Sequence, residues 1–288
     1  MKKLIGCLMV MVSLPVAFMV GCDRQIAVPL GPGGIGSPTV TPTPTVTGSP
    51  TGTATNSPTT TSTATVTNSP TITSTATPQA GQAMVNLGSA ANYVVLAYSA
   101  ITNNGPTTLC GSLGIFPLSS VDGGIVMTCG GVQDVDNTAA NTAKLDLGTA
   151  YTDAAGRTGG ALIPAGSDIG GQTFYPGLYT DGGDLSVSSN DLTLDAQGNP
   201  NSVFIFQVSG NLIATPGRQV FLIGGAKANN VFWQVTGYCS LDTTVSFAGN
   251  IMAYTSVTLN TGAVLLGRAL AENGNVTMLS NTITMPAP

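Results

Sequence analysis

The near-copies Ser240-Leu241-Asp242-Thr243 and Thr258-Leu259-Asn260-Thr261 lie eighteen residues apart, and each runs on to a glycine, Gly249 or Gly267. A looser third copy follows with one residue inserted, at Val276-Thr277-Met278-Leu279-Ser280. Cruder echoes precede the pair at Leu192-Thr193-Leu194-Asp195 and Leu212-Ile213-Ala214-Thr215. A unit this short, rich in Thr, Val, Leu and Gly, favours one turn of a β-solenoid over a pair of helices, and the turns gain a common core by stacking. Earlier turns are irregular: Val203-Phe204-Ile205-Phe206-Gln207-Val208 and Val231-Phe232-Trp233-Gln234-Val235 are spaced 27 residues apart at Gln207 and Gln234, with extra chain at Gly224-Gly225-Ala226-Lys227.

Between Asp134 and Gly156 the texture becomes helical. Val135, Ala139, Ala143, Leu147, Ala150, Tyr151 and Ala154 recur every three or four residues and define one narrow apolar stripe. Alanine dominates it, which suits a helix lying close against a wall of strands. Asp134 or Asp136 is the expected N-cap, and Gly156 the expected stop, with Arg157 near the negative end of the dipole. Ala91–Ala97 and Gly114–Phe116 read as short strands before the helix.

The amino-terminal region has a different composition. Lys2 and Lys3 precede an apolar run, Leu4 to Val20, that reads as a signal peptide over residues 1–21. Met19-Val20-Gly21-Cys22 resembles a bacterial lipobox, which would leave Cys22 lipidated at the head of a short segment, 22–36, with multiple acyl chains as a stable anchor. Residues 37–78 are a Thr/Ser/Pro-rich run without a charge, in which Asn56-Ser57-Pro58-Thr59 recurs as Asn68-Ser69-Pro70-Thr71. Such a segment builds no core and serves as a disordered stalk, about 40 Å long as a coil and about 130 Å if fully extended. The expected location is therefore exported and lipid-anchored, at the extracellular surface or in the periplasm, with the membrane met only through the lipid.

The folded domain then spans 79–288. It carries five basic residues (Lys144, Arg157, Arg218, Lys227 and Arg268) against twelve acidic ones. That balance argues against nucleic acid, because phosphate binding needs clustered cations. No histidine occurs anywhere and no closely spaced cysteines do, so neither a metal site nor any other cofactor is expected. Cys110 and Cys129 form the candidate disulfide in an oxidising compartment, while Cys239 alternates with Leu241 and reads as a small buried hydrophobe.

Several stretches, in this order, resemble the bacterial and fungal ice-binding proteins: Leu87-Gly88-Ser89-Ala90-Ala91-Asn92-Tyr93, then Ala150-Tyr151-Thr152-Asp153-Ala154-Ala155-Gly156-Arg157-Thr158 and Pro176-Gly177-Leu178-Tyr179, followed by Phe232-Trp233-Gln234-Val235, Leu259-Asn260-Thr261-Gly262-Ala263 and Gly267-Arg268-Ala269-Leu270-Ala271. The resemblance covers residues 82–286. It implies a mainly β fold, an irregular right-handed parallel β-helix of triangular section, in which amino-terminal strands pack with late coils and one long α-helix lies alongside. It also implies adsorption to ice. Some relatives display Thr-Ala/Gly-X-Thr/Asn on the binding face; Thr261-Gly262-Ala263-Val264 matches three positions and puts Val264 where the second hydroxyl would be.

Ice recognition needs no titrating group. It needs a stiff plane of small side chains, and a solenoid supplies one, with coils about 4.8 Å apart and outward side chains about 6.7 Å apart along each strand. Thr suits it through a water-excluding methyl, an anchoring hydroxyl and restricted rotamers. The first candidate patch is the column Thr243, Thr261, Ser280 with its partners Ser246 and Val264. The runner-up is Ser240, Thr258, Thr277, flanked by Tyr238, Ser256 and Asn275. A bulky Thr261→Tyr is expected to reduce thermal hysteresis without altering the fold.

The expectation is thus a monomeric, non-enzymatic protein whose partner is the ice surface. The alternative is a surface adhesin that binds polysaccharide on the same scaffold without ice activity. Asp181, Asp184, Asp191 and Asp195 form an acidic group near Gly182-Gly183, read as turn aspartates before a calcium site. Paired carboxylates with basic or aromatic partners, as solenoid lyases and glycosidases use, are not evident.

Overall fold

The computed structural model describes residues 81–288; the signal, lipidation and stalk segments inferred above lie outside the described residues. The described chain is a stack of three-sided coils closed by parallel strand pairs. In spatial order the first strands are Ala161–Ile163 and Thr173–Phe174. Next come the coil of Gly177–Asp181, Leu185–Val187 and Leu192–Asp195 and the coil of Phe204–Val208, Leu212–Ala214 and Val220–Ile223. Val231–Val235 and Cys239–Leu241 continue the stack, and the long strands Ser246–Ala253 and Val264–Ala271 each bend from one face to the next, with Val257–Leu259 between them.

After Val276–Leu279 and Thr282–Thr284 the stack is continued by the beginning of the chain. Tyr93–Ala97 pairs with Val264–Ala271, Ala100–Asn104 with Val276–Leu279, and Thr107–Cys110 with Thr282–Thr284. One more coil, Ser112–Ile115, Ser120–Val121 and Ile125–Thr128, lies beyond it. The solenoid is therefore discontinuous in sequence, and amino-terminal strands pack on the last coil as expected.

This order explains the helix, Thr138–Gly156. The chain must return from Gln133–Val135 at one end of the stack to Ala161–Ile163 at the other, across nine strands of one face, or roughly 38 Å at a strand spacing of ~4.8 Å. Nineteen helical residues cover about 28 Å of that distance at 1.5 Å each, and the flanking segments cover the rest. Ala143, Leu147, Ala150 and Ala154 pack on Leu96, Leu178, Ile205, Phe232, Met252 and Leu270. The side they cover is face a, which holds Gly177–Asp181 and the strands stacked on it; Leu185–Val187 then lies on face b and Leu192–Asp195 on face c. Two members of the expected stripe are corrected: Val135 belongs to the strand before the helix, and Ala140 rather than Ala139 is buried.

The cap also differs from the expectation. Asn137 is the N-cap and accepts from the Ala140 amide at 2.9 Å. Asp134 instead orients that cap, accepting from Asn137 Nδ2 and from the Tyr93 hydroxyl, each at 2.7 Å. At the other end Gln207 Nε2 donates to the carbonyls of Ala154 and Arg157, both at 2.8 Å, so a strand side chain satisfies the orphan acceptors of the last turn. Gln234 donates to the Tyr151 hydroxyl at 2.8 Å.

Lys144 is the one buried cation of the helix, donating to the Ala271 and Glu272 carbonyls at 2.7 Å and to the Glu272 carboxylate at 3.4 Å. Burial outweighs the Glu272 charge and pulls its pKa down to about 8. The unfolded chain keeps this proton to near 10.5, so between these values it binds more protons than the folded state and stability rises with pH. Above pH 9 the buried Cys239 thiol, whose pKa burial raises, pulls the opposite way. The quantity to measure is therefore the unfolding free energy from urea titration of the wild type minus that of Lys144→Met. This difference is expected to grow from pH 7.5 to pH 10, by roughly 1 kcal/mol per unit at most; a flat difference would contradict the burial of a charged Lys144.

The interior is an aromatic ladder. Trp233 stacks on Phe206 at 4.2 Å, Phe206 on Tyr179 at 5.2 Å, and Phe247 tilts against Trp233 at 5.1 Å. Strand register enforces the stack, since Tyr179, Phe206 and Trp233 are paired in successive coils and continue as Ile251 and Ala269. Gly249 and Gly267 turn the corner between faces c and a, at φ 115 and 156. A Cβ on Gly267 would lie 1.9 Å from the Gly249 carbonyl oxygen, so only glycine lets the coils approach there. Next to this corner Arg268 donates to the Ala91 carbonyl from Nε and Nη2, and to Asn250 and Asn229 from Nη1, which ties the amino-terminal segment to the last coil. Cys110 and Cys129 are disulfide-bonded, and Cys239 is buried and free.

Candidate functional site

With face a under the helix, two faces remain. Face c is interrupted: its strands divide between two sheets bridged only by the pair Gln219 and Ser246, and bulky Phe221, Ile223 and Leu266 stand exposed on it. Face b is one unbroken sheet of seven parallel strands, from Leu185–Val187 at one end to Ser120–Val121 at the other.

Each full rung of face b has the same three-residue pattern. In Val257–Leu259 the outer two residues are buried and Thr258 points out, because side chains alternate along a strand. The pairing is in register, so Ser186, Ile213, Ser240, Thr258, Thr277 and Thr102 form one outward column across six coils, about 24 Å long at ~4.8 Å per coil. All six are half-buried, and none is charged. Thr102 donates to the Thr277 hydroxyl at 2.9 Å, and Asn275 Nδ2 donates to the same oxygen at 2.8 Å, which fixes its orientation. Asn211, Tyr238, Ser256 and Asn275 flank the column on one side, linked by strand hydrogen bonds. Thr215, Asp242 and Asn260 flank it on the other.

The column Ser240, Thr258, Thr277 thus lies at the centre of an exposed plane. Sequence periodicity missed Ser186, Ile213 and Thr102 as members. Thr102 belongs to a strand with no copy in the repeat, so only the tertiary stacking reveals it.

The set Thr243, Ser246, Thr261, Val264, Ser280 is divided by the fold. Thr243 and Thr261 stack at the corner between faces b and c, where their carbonyls accept from Gly217 and Thr244 of the preceding coils. Ser246 and Val264 pair directly, but on face c. Ser280 does not join Thr243 and Thr261: its amide donates to Asn104 and its φ is 55, the left-handed position held by Thr244 (58) and Gly262 (73). The turn after Val276–Leu279 is one residue shorter than its predecessor, which shifts Ser280 by one place.

The four aspartates sit at separate points of one coil. Asp184 accepts from the Asn211 amide at 2.7 Å, Asp191 faces Arg218 at 3.6 Å, Asp195 accepts from the Gln197 amide at 2.8 Å, and Asp181 accepts from the Gly183 amide at 2.9 Å. Among the described residues no three His, Cys, Asp or Glu side chains come together as a metal site.

A discontinuous solenoid, a return helix along one face and an open sheet with a central column free of charge on another define the class: a discontinuous β-solenoid with one flat, uncovered face. Sequence comparison places residues 95–284 in the family described as Ice-binding-like. The chain belongs to the ice-binding protein family. An ice-binding protein of Colwellia sp. is 36% identical over 72% of this chain and 86% of its own length, and one of Nostoc sp. is 38% identical over 69% and 73%. Among solved structures, an ice binding protein from an Antarctic biological consortium is 44% identical with a TM-score of 0.70, covering 73% of this chain and 95% of its own.

Proposed function

We propose that this chain is a non-enzymatic ice-binding protein, active as a monomer, that adsorbs to ice through face b. The observation that carries this reading is the unbroken seven-strand sheet with Ser186, Ile213, Ser240, Thr258, Thr277 and Thr102 in one uncovered row. Rows of methyls and hydroxyls repeat at two fixed spacings and are held by the core beneath, so many weak contacts to ordered water add with little further ordering cost. Thr243 and Thr261 extend the plane at its corner, with Ser246, Val264 and Ser280 around that edge. A recrystallisation assay tests the reading: crystals should stay fine at micromolar protein, and coarsening at the rate of a buffer control would refute it.

Lipid on Cys22 and the stalk at residues 37–78 then hold the plane away from the cell envelope. What supports this part is the order of lipobox, spacer and domain. Mass spectrometry of the protein purified from membranes is expected to find an acylated amino-terminal Cys22; a free thiol there would remove the anchor.

A further inference from the structure

At the corner between faces a and b, opposite the corner that carries Thr243 and Thr261, a cleft of about 270 Å³ opens between the helix and the coils. Tyr98, Phe116, Pro117 and Leu145 supply its apolar walls, and Asn141 and Asn273 its polar rim. Tyr98 is 38% exposed and Leu145 68%. The side-chain amide of each asparagine can both donate and accept. Lys144 and Glu272 lie at its base and neutralise each other, with Lys144 also held by two carbonyls. The cleft therefore has no free charge to offer.

Register extends the aromatic surface along the stack. Tyr254 and Glu272 follow the paired residues Ala253 and Ala271, and Tyr98 follows the end of the next strand, Tyr93–Ala97, which puts Tyr254 two coils from Tyr98, about 10 Å away along the stack. Tyr254 is 47% exposed and braced by Tyr151 of the helix at 5.8 Å between ring centres.

We propose that this cleft and its Tyr254 extension bind a neutral glycan chain running along the solenoid axis. A sugar ring presents C–H groups on its faces and hydroxyls around its rim. The first pair with exposed aromatic rings, and the second with amides that both donate and accept. A peptide terminus or a phosphate would need an uncompensated charge, which the cleft lacks. Its volume lies at the lower end for small-molecule sites and admits one or two rings, so further units of the chain rest on Tyr254. The site lies apart from the Thr258 column, and its occupation leaves face b free to meet ice.

Calorimetric titration of the full-length protein with cello-, laminari-, manno- and xylohexaose, and with the matching disaccharides, tests this. At least one hexaose is expected to bind with a Kd of about 1 mM or tighter, and more tightly than its disaccharide. Tyr98→Ala should weaken the hexaose about tenfold, and Tyr254→Ala should erase its advantage over the disaccharide. Both variants should keep wild-type thermal hysteresis, which also shows that the fold is intact; Asn273→Ala, a rim change outside the core, provides a second variant that should weaken binding. Absence of binding by all four hexaoses at ~10 mM, or equal affinity in wild type, Tyr98→Ala and Asn273→Ala, overturns the proposal.

Discussion

Thr258→Tyr is expected to remove roughly half or more of the thermal hysteresis while leaving the circular dichroism and melting temperature unchanged, because a gap of about 1 Å already forfeits a quarter to a half of a dispersion contact. Thr258 is the fourth of six outward residues in its column, with Ser240 and Thr277 paired on either side. A ring projecting from that place lifts the neighbouring rows off a flat lattice, so the loss exceeds the contribution of one threonine. Its own backbone and the buried Val257 and Leu259 are undisturbed, which is why stability is spared. Thr261→Tyr, at the corner, should lower activity less, and a Tyr in place of face-c Val264 less again. Equal hysteresis in wild type and Thr258→Tyr would exclude face b as the adsorbing plane.

Trp233→Ala carries the largest expected effect on stability. The indole is fully buried, stacked at 4.2 Å on Phe206 and touching Phe247, and its Nε1 donates to the Ala248 carbonyl at 3.0 Å. Truncation leaves a cavity in a ladder that spans several coils and an unpaired buried acceptor, a cost of about 3–5 kcal/mol. For a domain of this size that corresponds to a fall of roughly 6–20 °C in Tm, measured by calorimetry. A fall under about 1 kcal/mol would mean that the coils are not held by this ladder. Hysteresis assayed near 0 °C, well below the lowered Tm, should be retained, because the ladder touches face b only through the core.

Much of this architecture is legible in the residues, and the illegible parts have physical causes. The eighteen-residue spacing announces stacked coils, since inward Leu and Val must recur wherever one turn covers the next. The alanine stripe announces a helix on a flat wall, although Asn137 rather than Asp134 or Asp136 caps it, because Asp134 is already engaged by Tyr93. The column Ser240, Thr258, Thr277 follows from alternation within the repeat. Its place at the centre of an uncovered face, with Thr243 and Thr261 at the corner and Ser280 out of their column, does not, because that depends on which face the returning helix covers and on a one-residue difference in turn length at Ser280. Membership of Thr102 is invisible to periodicity for a related reason. The strand that carries it precedes the repeat in the chain and joins it only in space.

Thr244 shows how local strain marks the same corner. A β-branched residue at φ 58 is disfavoured by contact between its side chain and backbone, and the coils on either side use Gly217 and Gly262 at this position. Its hydroxyl donates to the Thr243 carbonyl at 2.7 Å, which offsets part of that cost. The corner beside face b thus keeps exposed methyl and hydroxyl groups where glycine would be the easier residue.

Ice-affinity partitioning tests the central claim most directly. Ice is grown slowly through a dilute solution of the full-length protein together with an inert protein of similar size, and both are measured in the solid and the remaining liquid. The account predicts that this protein is enriched in the ice while the inert one stays in the liquid; equal exclusion of the two would contradict it.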